Sequence, residues 1–231
     1  MAARRIIQGL ALVLCLLSLR QAWAGVWVAA GHEALEKGLW GRAFMNARQA
    51  ERLGTLDKRV FEDAGQSALR MGIQYRSRSL LRVSRGYFMQ LNRELPYWGR
   101  AWIYRALGET IMESLSPDGV SFGEWKKIEP LWIKGYRQEK GSAWVAFEVG
   151  THLLAYRRYL VPPKQKWAAA LLKKSLLISP PRRIAQTPHY LGAALEFLWG
   201  EFHDASLLES VTPQDVYSRR ALSEFLRGHG K

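Results

Sequence analysis

From residue 25 onward, apolar residues return every three or four positions, and sustained alternation of Val, Ile and Thr is lacking. The pattern therefore predicts amphipathic helices throughout and an all-α fold class. A different pattern precedes it. Residues 6–19 form a predominantly apolar run, introduced by Arg4 and Arg5 and interrupted by Arg20. That run is shorter than the ~20 residues that cross a bilayer comfortably. With the small-x-small tripeptide Ala22-Trp23-Ala24 behind it, it reads as a signal peptide over residues 1–24, cleaved before Gly25, with an uncleaved membrane anchor as the alternative. Residues 25–231 are then expected to form a single helical domain.

Sliding the chain against itself shows a period. Trp27-x-x-Ala30-Gly31-x-x-Ala34 returns as Phe61-x-x-Ala64-Gly65-x-x-Ala68, 34 residues on, and a third copy, Leu95-x-x-Trp98-Gly99-x-x-Trp102, follows after another 34. Gly31, Gly65 and Gly99 are thus expected at equivalent positions. After Ala106 the phase blurs: Ser116-Pro117-Asp118-Gly119 interrupts the expected second helix, and Tyr104-x-x-Leu107-Gly108-x-x-Ile111 offers a competing register. Farther on, residues 150–159 and 167–180 read as one helix pair, and Pro188-x-x-Leu191-Gly192-x-x-Leu195 opens another that turns near Trp199-Gly200. Thr212-Pro213 reads as an N-cap and first-turn proline for a terminal helix reaching about Leu226.

These residues resemble the tetratricopeptide repeat, a helix-turn-helix unit with a large residue, Leu-Gly and an aromatic on its first helix, then a turn glycine, small residues on its second helix and a closing proline. Trp27, Gly31 and Gly38 match the first helix and turn of one unit, Ala43 and Ala50 its second helix, and Thr55 replaces the proline. In the next unit Gly72 falls at the turn and Ser77 and Ser84 at small positions. The resemblance implies an α-solenoid of about five to six units, the middle ones degenerate. It also implies a non-enzymatic scaffold or adaptor, since such proteins in bacterial envelopes often serve polysaccharide export, pilus or secretion machinery. Fold alone does not determine function.

Charge and composition narrow the partners. The chain carries +14, and removing residues 1–24 takes away Arg4, Arg5 and Arg20 to leave +11. A basic exported protein favours envelope protein partners, acidic polysaccharide or an anionic lipid surface, and disfavours nucleic acid. The only cysteine, Cys15, lies in the apolar run behind Leu12-Val13-Leu14, where a lipoprotein signal would need a small residue. The cleaved chain would hold no thiol, which excludes disulfides, Cys-ligated zinc and a cysteine nucleophile.

No catalytic spacing stands out. His32, His152, His189, His203 and His229 are scattered without a metal-ligand pattern, so neither a metal nor a cofactor is expected. Glu201, His203 and Asp204 form the densest polar cluster, which reads as a turn or helix start. Glu109 and Glu113 share a helical face and could act as acids in a cell-wall or polysaccharide enzyme, as could Glu201, although Arg105 stands where it can pair with Glu109. Trp98, Trp102, Tyr104, Trp125, Trp132, Tyr136 and Trp144 crowd one stretch and read as inter-helix packing ahead of a sugar-stacking platform. The candidate binding surface is a basic face: Arg78, Arg82 and Arg85 follow helical spacing, with Arg70, Arg76 and Arg93 near in sequence. A second basic region runs through Arg157-Arg158, Lys164, Lys166, Lys173-Lys174 and Arg182-Arg183, broken at Pro162-Pro163 and Pro180-Pro181. The expected function is an exported scaffold in envelope assembly, against two rivals: the all-α enzyme, and a structural subunit held by its N-terminal helix.

Overall fold

The computed structural model describes residues 2–180 and 187–230, with side chains from residue 7. Pro181, Arg182 and Arg183 of the second basic region lie outside the described residues. The described chain is a succession of α-helices with no extended strand: α1 (Ala2–Glu36), α2 (Trp40–Arg52), α3 (Arg59–Gln74), α4 (Arg78–Glu94), α5 (Gly99–Ser114), α6 (Phe122–Gln138), α7 (Ala143–Ala155), α8 (Pro162–Ile178), α9 (Leu191–Phe202), α10 (Ala205–Val211) and α11 (Val216–Gly228). Five consecutive pairs and a terminal helix make the all-α, α-solenoid repeat architecture that the apolar period calls for.

Local chemistry sets the helix starts. Ser77, Ser121, Ser142, Asp204 and Asp215 accept backbone N–H groups at the heads of α4, α6, α7, α10 and α11. Pro162 and Pro163 occupy the first turn of α8, where a missing N–H costs nothing, so they open a helix instead of forming the extended break expected of them. Gly38, at φ +71°, makes the left-handed turn after α1.

Packing groups the chain into two compact units, Met1–Tyr97 with Tyr104–Val120 and Trp98–Ile103 with Ser121–Lys231. In the first unit α1 packs on α2 and α3, α2 on α3, and α3 on α4. Ala43, Ala47 and Ala50 form the buried seam of α2, and a Cβ on Gly31 would stand only 3.5 Å from Asn46 Cβ across that seam. Gly65 lies under the fully buried Phe88 ring, and His32 Nδ1 sits 3.3 Å from Asp63 Oδ1, joining α1 to α3. Burial raises the pKa of Asp63, opposed by that histidine.

In the second unit α7 packs on α6, α8 and α9, and α10 and α11 close the end. α7 and α8 approach closely at Gly150, whose added Cβ would meet Leu172 N at 3.0 Å and Ala168 O at 3.1 Å on α8. Gly99 and Gly135 let the start of α5 and the end of α6 touch backbone to backbone. Trp125 and Trp132 are fully buried, stacked on Tyr156 and His152 at 4.5 and 4.3 Å between ring centres. These tryptophans are core.

Several expected positions shift. Gly99 is the first residue of α5, whereas Gly31 and Gly65 lie inside α1 and α3, so the third copy of the motif is not their structural equivalent. The competing glycine, Gly108, is the one inside α5 and stands against Leu69 of α3. Gly72 is not at the turn: α3 runs on to Gln74, the left-handed residue is Arg76 at φ +49°, and Gly72 makes room for Leu81. Ser77 caps α4 instead of filling a small packing position. The α9–α10 turn falls at His203, φ +50°, three residues after Gly200. Gly192 approaches nothing within 4 Å, while Leu191 beside it is buried. Thr212 is buried and donates its hydroxyl to Leu208 O at 2.7 Å, so it closes α10, and Asp215 caps α11 in its place.

Candidate functional site

The expected basic face belongs to the first unit. Arg78 and Arg85 leave α4 towards α5, where Arg85 Nε meets Glu109 Oε1 at 3.1 Å and Arg78 approaches Glu113 at 4.0 Å. Arg105 reaches the same Glu109 carboxylate at 3.9 Å. Glu109 and Glu113, two of the three acids proposed for catalysis, are therefore ion-pair partners between helices, and much of the stripe is neutralised. Arg82 is exposed on α4 and Arg93 in its last turn; burial is the main force lowering the Arg105 pKa, opposed by Glu109 and helped by the nearby charges of Arg85 and Arg93. Arg70 leans over the Trp40 ring at 6.0 Å and Arg76 occupies the α3–α4 turn. The structure thus brings Arg78 and Arg85 together with Glu109 and Glu113, and leaves Arg70 and Arg76 on other parts of the unit.

The polar cluster near residue 203 resolves into capping. Asp204 accepts from Ser206 N at 2.9 Å and Leu207 N at 3.3 Å, and the Ser206 hydroxyl holds its carboxyl below the usual carboxylate range. Glu201 faces Arg157 at 3.9 Å. His152, stacked on Trp132, sets its Nδ1 2.9 Å from the Glu148 carbonyl, and burial lowers its pKa to about 4.

Within the second unit a groove of about 790 Å³ opens between α6 and the start of α8. Phe122, Ile133, Tyr159 and Val161 give it an apolar floor, with Phe122 49% and Val161 57% exposed. Lys126, Lys134 and Arg137 line its α6 side. Lys126 lies over the Phe122 ring at 4.6 Å and Lys134 over Trp102 at 3.8 Å. Glu129, buried at the groove wall, is paired with Lys164. Pro130 lies within α6 and supplies no N–H to the Lys126 carbonyl four residues back.

The N-terminal helix has its own geometry. From Ile7 to Leu19 every side chain is exposed on α1, which is long and apolar enough to cross a membrane. Its next turn is tied down: Arg20 Nε donates to Leu53 O at 2.6 Å, Gln21 Nε2 to Gly54 O at 2.9 Å, and Ala24 is fully buried.

No family model matches this chain, and no curated protein matches it. Solved structures do. It is similar to TTC0263, a thermophilic TPR protein in Thermus thermophilus, with a TM-score of 0.60 at 13% identity over 88% of this chain and 98% of that one. It is also similar to a MamA mutant, with a TM-score of 0.51 at 16% identity over 90% of this chain and 98% of that one. The chain has the tetratricopeptide-like fold. In this tetratricopeptide-like chain α6 and α8 are the second helices of their pairs, so the groove lies where second helices meet. Sequence reasoning passed over it because its cations come eight and three residues apart, outside any run, and because Val161 reaches it only through the chain path from α7 to α8. The one available signal was Pro130 inside an otherwise periodic helix.

Proposed function

We propose that this protein is a non-enzymatic scaffold that binds a protein partner and is held at a membrane by α1, acting in assembly of the bacterial envelope or its surface polysaccharide. The architecture carries the reading: glycine-mediated helix pairs present long side-chain faces, while Glu109 and Glu113, the acids best spaced for catalysis, serve as ion-pair partners. Likeness to TPR proteins supports a scaffold. In-cell photocrosslinking from Arg82 on α4, Arg137 on α6 and Arg219 on α11 of the full chain tests it. A discrete protein adduct from at least one position is expected; adducts from none would refute the scaffold, and activity on glycan substrates that Glu109→Gln abolishes would establish the enzyme instead.

Retention of α1 is favoured over cleavage by one observation. A cut before Gly25 would sever a continuous helix and remove Arg20 and Gln21, whose side chains donate to the Leu53 and Gly54 carbonyls just past α2 and tie the two helices together. Membrane-fraction protein should therefore keep residues 1–24, and N-terminal sequencing that starts at Gly25 would refute the anchor.

A further inference from the structure

We propose that the α6–α8 groove is a docking site for an extended acidic segment of a protein partner, about five residues long, with carboxylates flanking one large apolar side chain. The proposal rests on the scaffold reading and gives it a place and a ligand chemistry. Charge comes first. Lys127 and Lys164 beside the groove are each neutralised, by Glu124 at 2.8 Å and by Glu129. Among the described residues, Lys126, Lys134 and Arg137 meet no carboxylate, and two of them rest on aromatic rings instead. Three cations spaced along one groove without a paired carboxylate form a receptor for several anionic groups at once.

Spacing and surface select a peptide. Residues 126 and 137 lie ~16 Å apart along α6 at ~1.5 Å per residue, a length matched by about five extended residues at ~3.3 Å each. The floor is apolar and exposed at Phe122 and Val161, so a purely charged ligand would leave that surface in water. A segment with one buried large side chain covers it. Glycan carboxylates or lipid phosphates would satisfy the cations alone.

The test uses the full chain in non-ionic detergent and fluorescence anisotropy with labelled Asp-Glu-Phe-Asp-Glu. Binding is expected that weakens towards ~0.3 M salt. It should fall at least about tenfold in the triple variant Lys126→Gln, Lys134→Gln, Arg137→Gln and in Phe122→Ser, and stay unchanged in Arg76→Gln with Arg82→Gln. Asn-Gln-Phe-Asn-Gln and Asp-Glu-Gly-Asp-Glu should each bind at least about tenfold more weakly than the probe. Circular dichroism confirms that each variant folds, and the three single substitutions replace the triple one if it does not. Equal binding of Asp-Glu-Gly-Asp-Glu, tighter binding of a sulfated oligosaccharide, competition by phosphatidylglycerol vesicles, or an unaffected set of charge variants would overturn the proposal. Crosslinks at Arg82 but not at Arg137 would sink the groove and leave the scaffold standing; crosslinks nowhere would remove both.

Discussion

Gly150 and Gly31 occupy corresponding places on first helices, yet alanine should move stability in opposite directions at the two sites. Alanine in a helix interior is favoured over glycine by roughly 1 kcal/mol, whatever the surroundings. At Gly31 the nearest neighbours of a new Cβ lie at 3.5–3.6 Å, ordinary van der Waals contact, so Gly31→Ala should stabilise the fold by up to ~1 kcal/mol. At Gly150 the neighbours are backbone: Leu172 N at 3.0 Å, Ala168 O at 3.1 Å and Leu172 Cα at 3.3 Å. No rotamer change relieves these contacts, so α7 and α8 must separate by a few tenths of an ångström and loosen the contacts of Val149, Leu153 and Leu172, all nearly fully buried. Overpacking of this kind costs about 1–3 kcal/mol, which exceeds the propensity gain and leaves Gly150→Ala net destabilised by about 0.5–2 kcal/mol. Urea unfolding of the full chain in non-ionic detergent, followed by circular dichroism, gives both values from the midpoints, provided the slopes are unchanged. A Gly150→Ala protein as stable as the wild type, or more so, would refute the claim that helix approach at this position is set by backbone contact.

Three other outcomes are expected. Because the folded His152 pKa is lowered to about 4 from an ordinary 6.5, its contribution is complete above pH 6.5 and is lost as pH falls from there towards 4, by at most ~3 kcal/mol. His152→Phe keeps the stack on Trp132 and should flatten that limb of a stability-against-pH curve; an unchanged slope would assign the acid loss elsewhere. Glu109→Gln removes the shared partner of Arg85 and Arg105 and should cost about 1–3 kcal/mol in the same urea assay, whereas a purely catalytic glutamate would lose activity at constant stability. Ser142→Ala deletes the hydroxyl that accepts Val145 N at 3.3 Å and should lower stability by about 1 kcal/mol, with no loss expected from Ser114→Ala, which caps no helix start.

Much of the fold was legible because it rests on local rules. Three- and four-residue apolar spacing specifies helices, Ser and Asp ahead of such runs specify their starts, and recurring small residues mark where two helices must come close. Gly31 and Gly65 illustrate this, both lying inside first helices against second ones. The register of the third unit was not legible, since Gly99 and Gly108 both satisfy the motif and only the length of the α4–α5 connection decides which of them falls inside the helix. Thr212-Pro213 misled because a hydroxyl next to a proline is a good cap in isolation, but α10 runs to Val211 and its last turn sets Leu208 O, four residues back, within reach of the Thr212 hydroxyl.

The binding surface divides in the same way. Arg78, Arg82 and Arg85 share a helical face by spacing alone, so the stripe could be read from the chain. Whether it is free could not, because its neutralisation by Glu109 and Glu113 depends on α5 lying beside α4. The α6–α8 groove depends wholly on tertiary structure: residues 122–137 and 159–164 converge there only after α7 has doubled the chain back. Period and capping are properties of neighbouring residues, and the sequence determines them by itself. Which charges remain unpaired, and which apolar side chains stay exposed beside them, is determined by residues distant in the chain, and only the packed structure decides it.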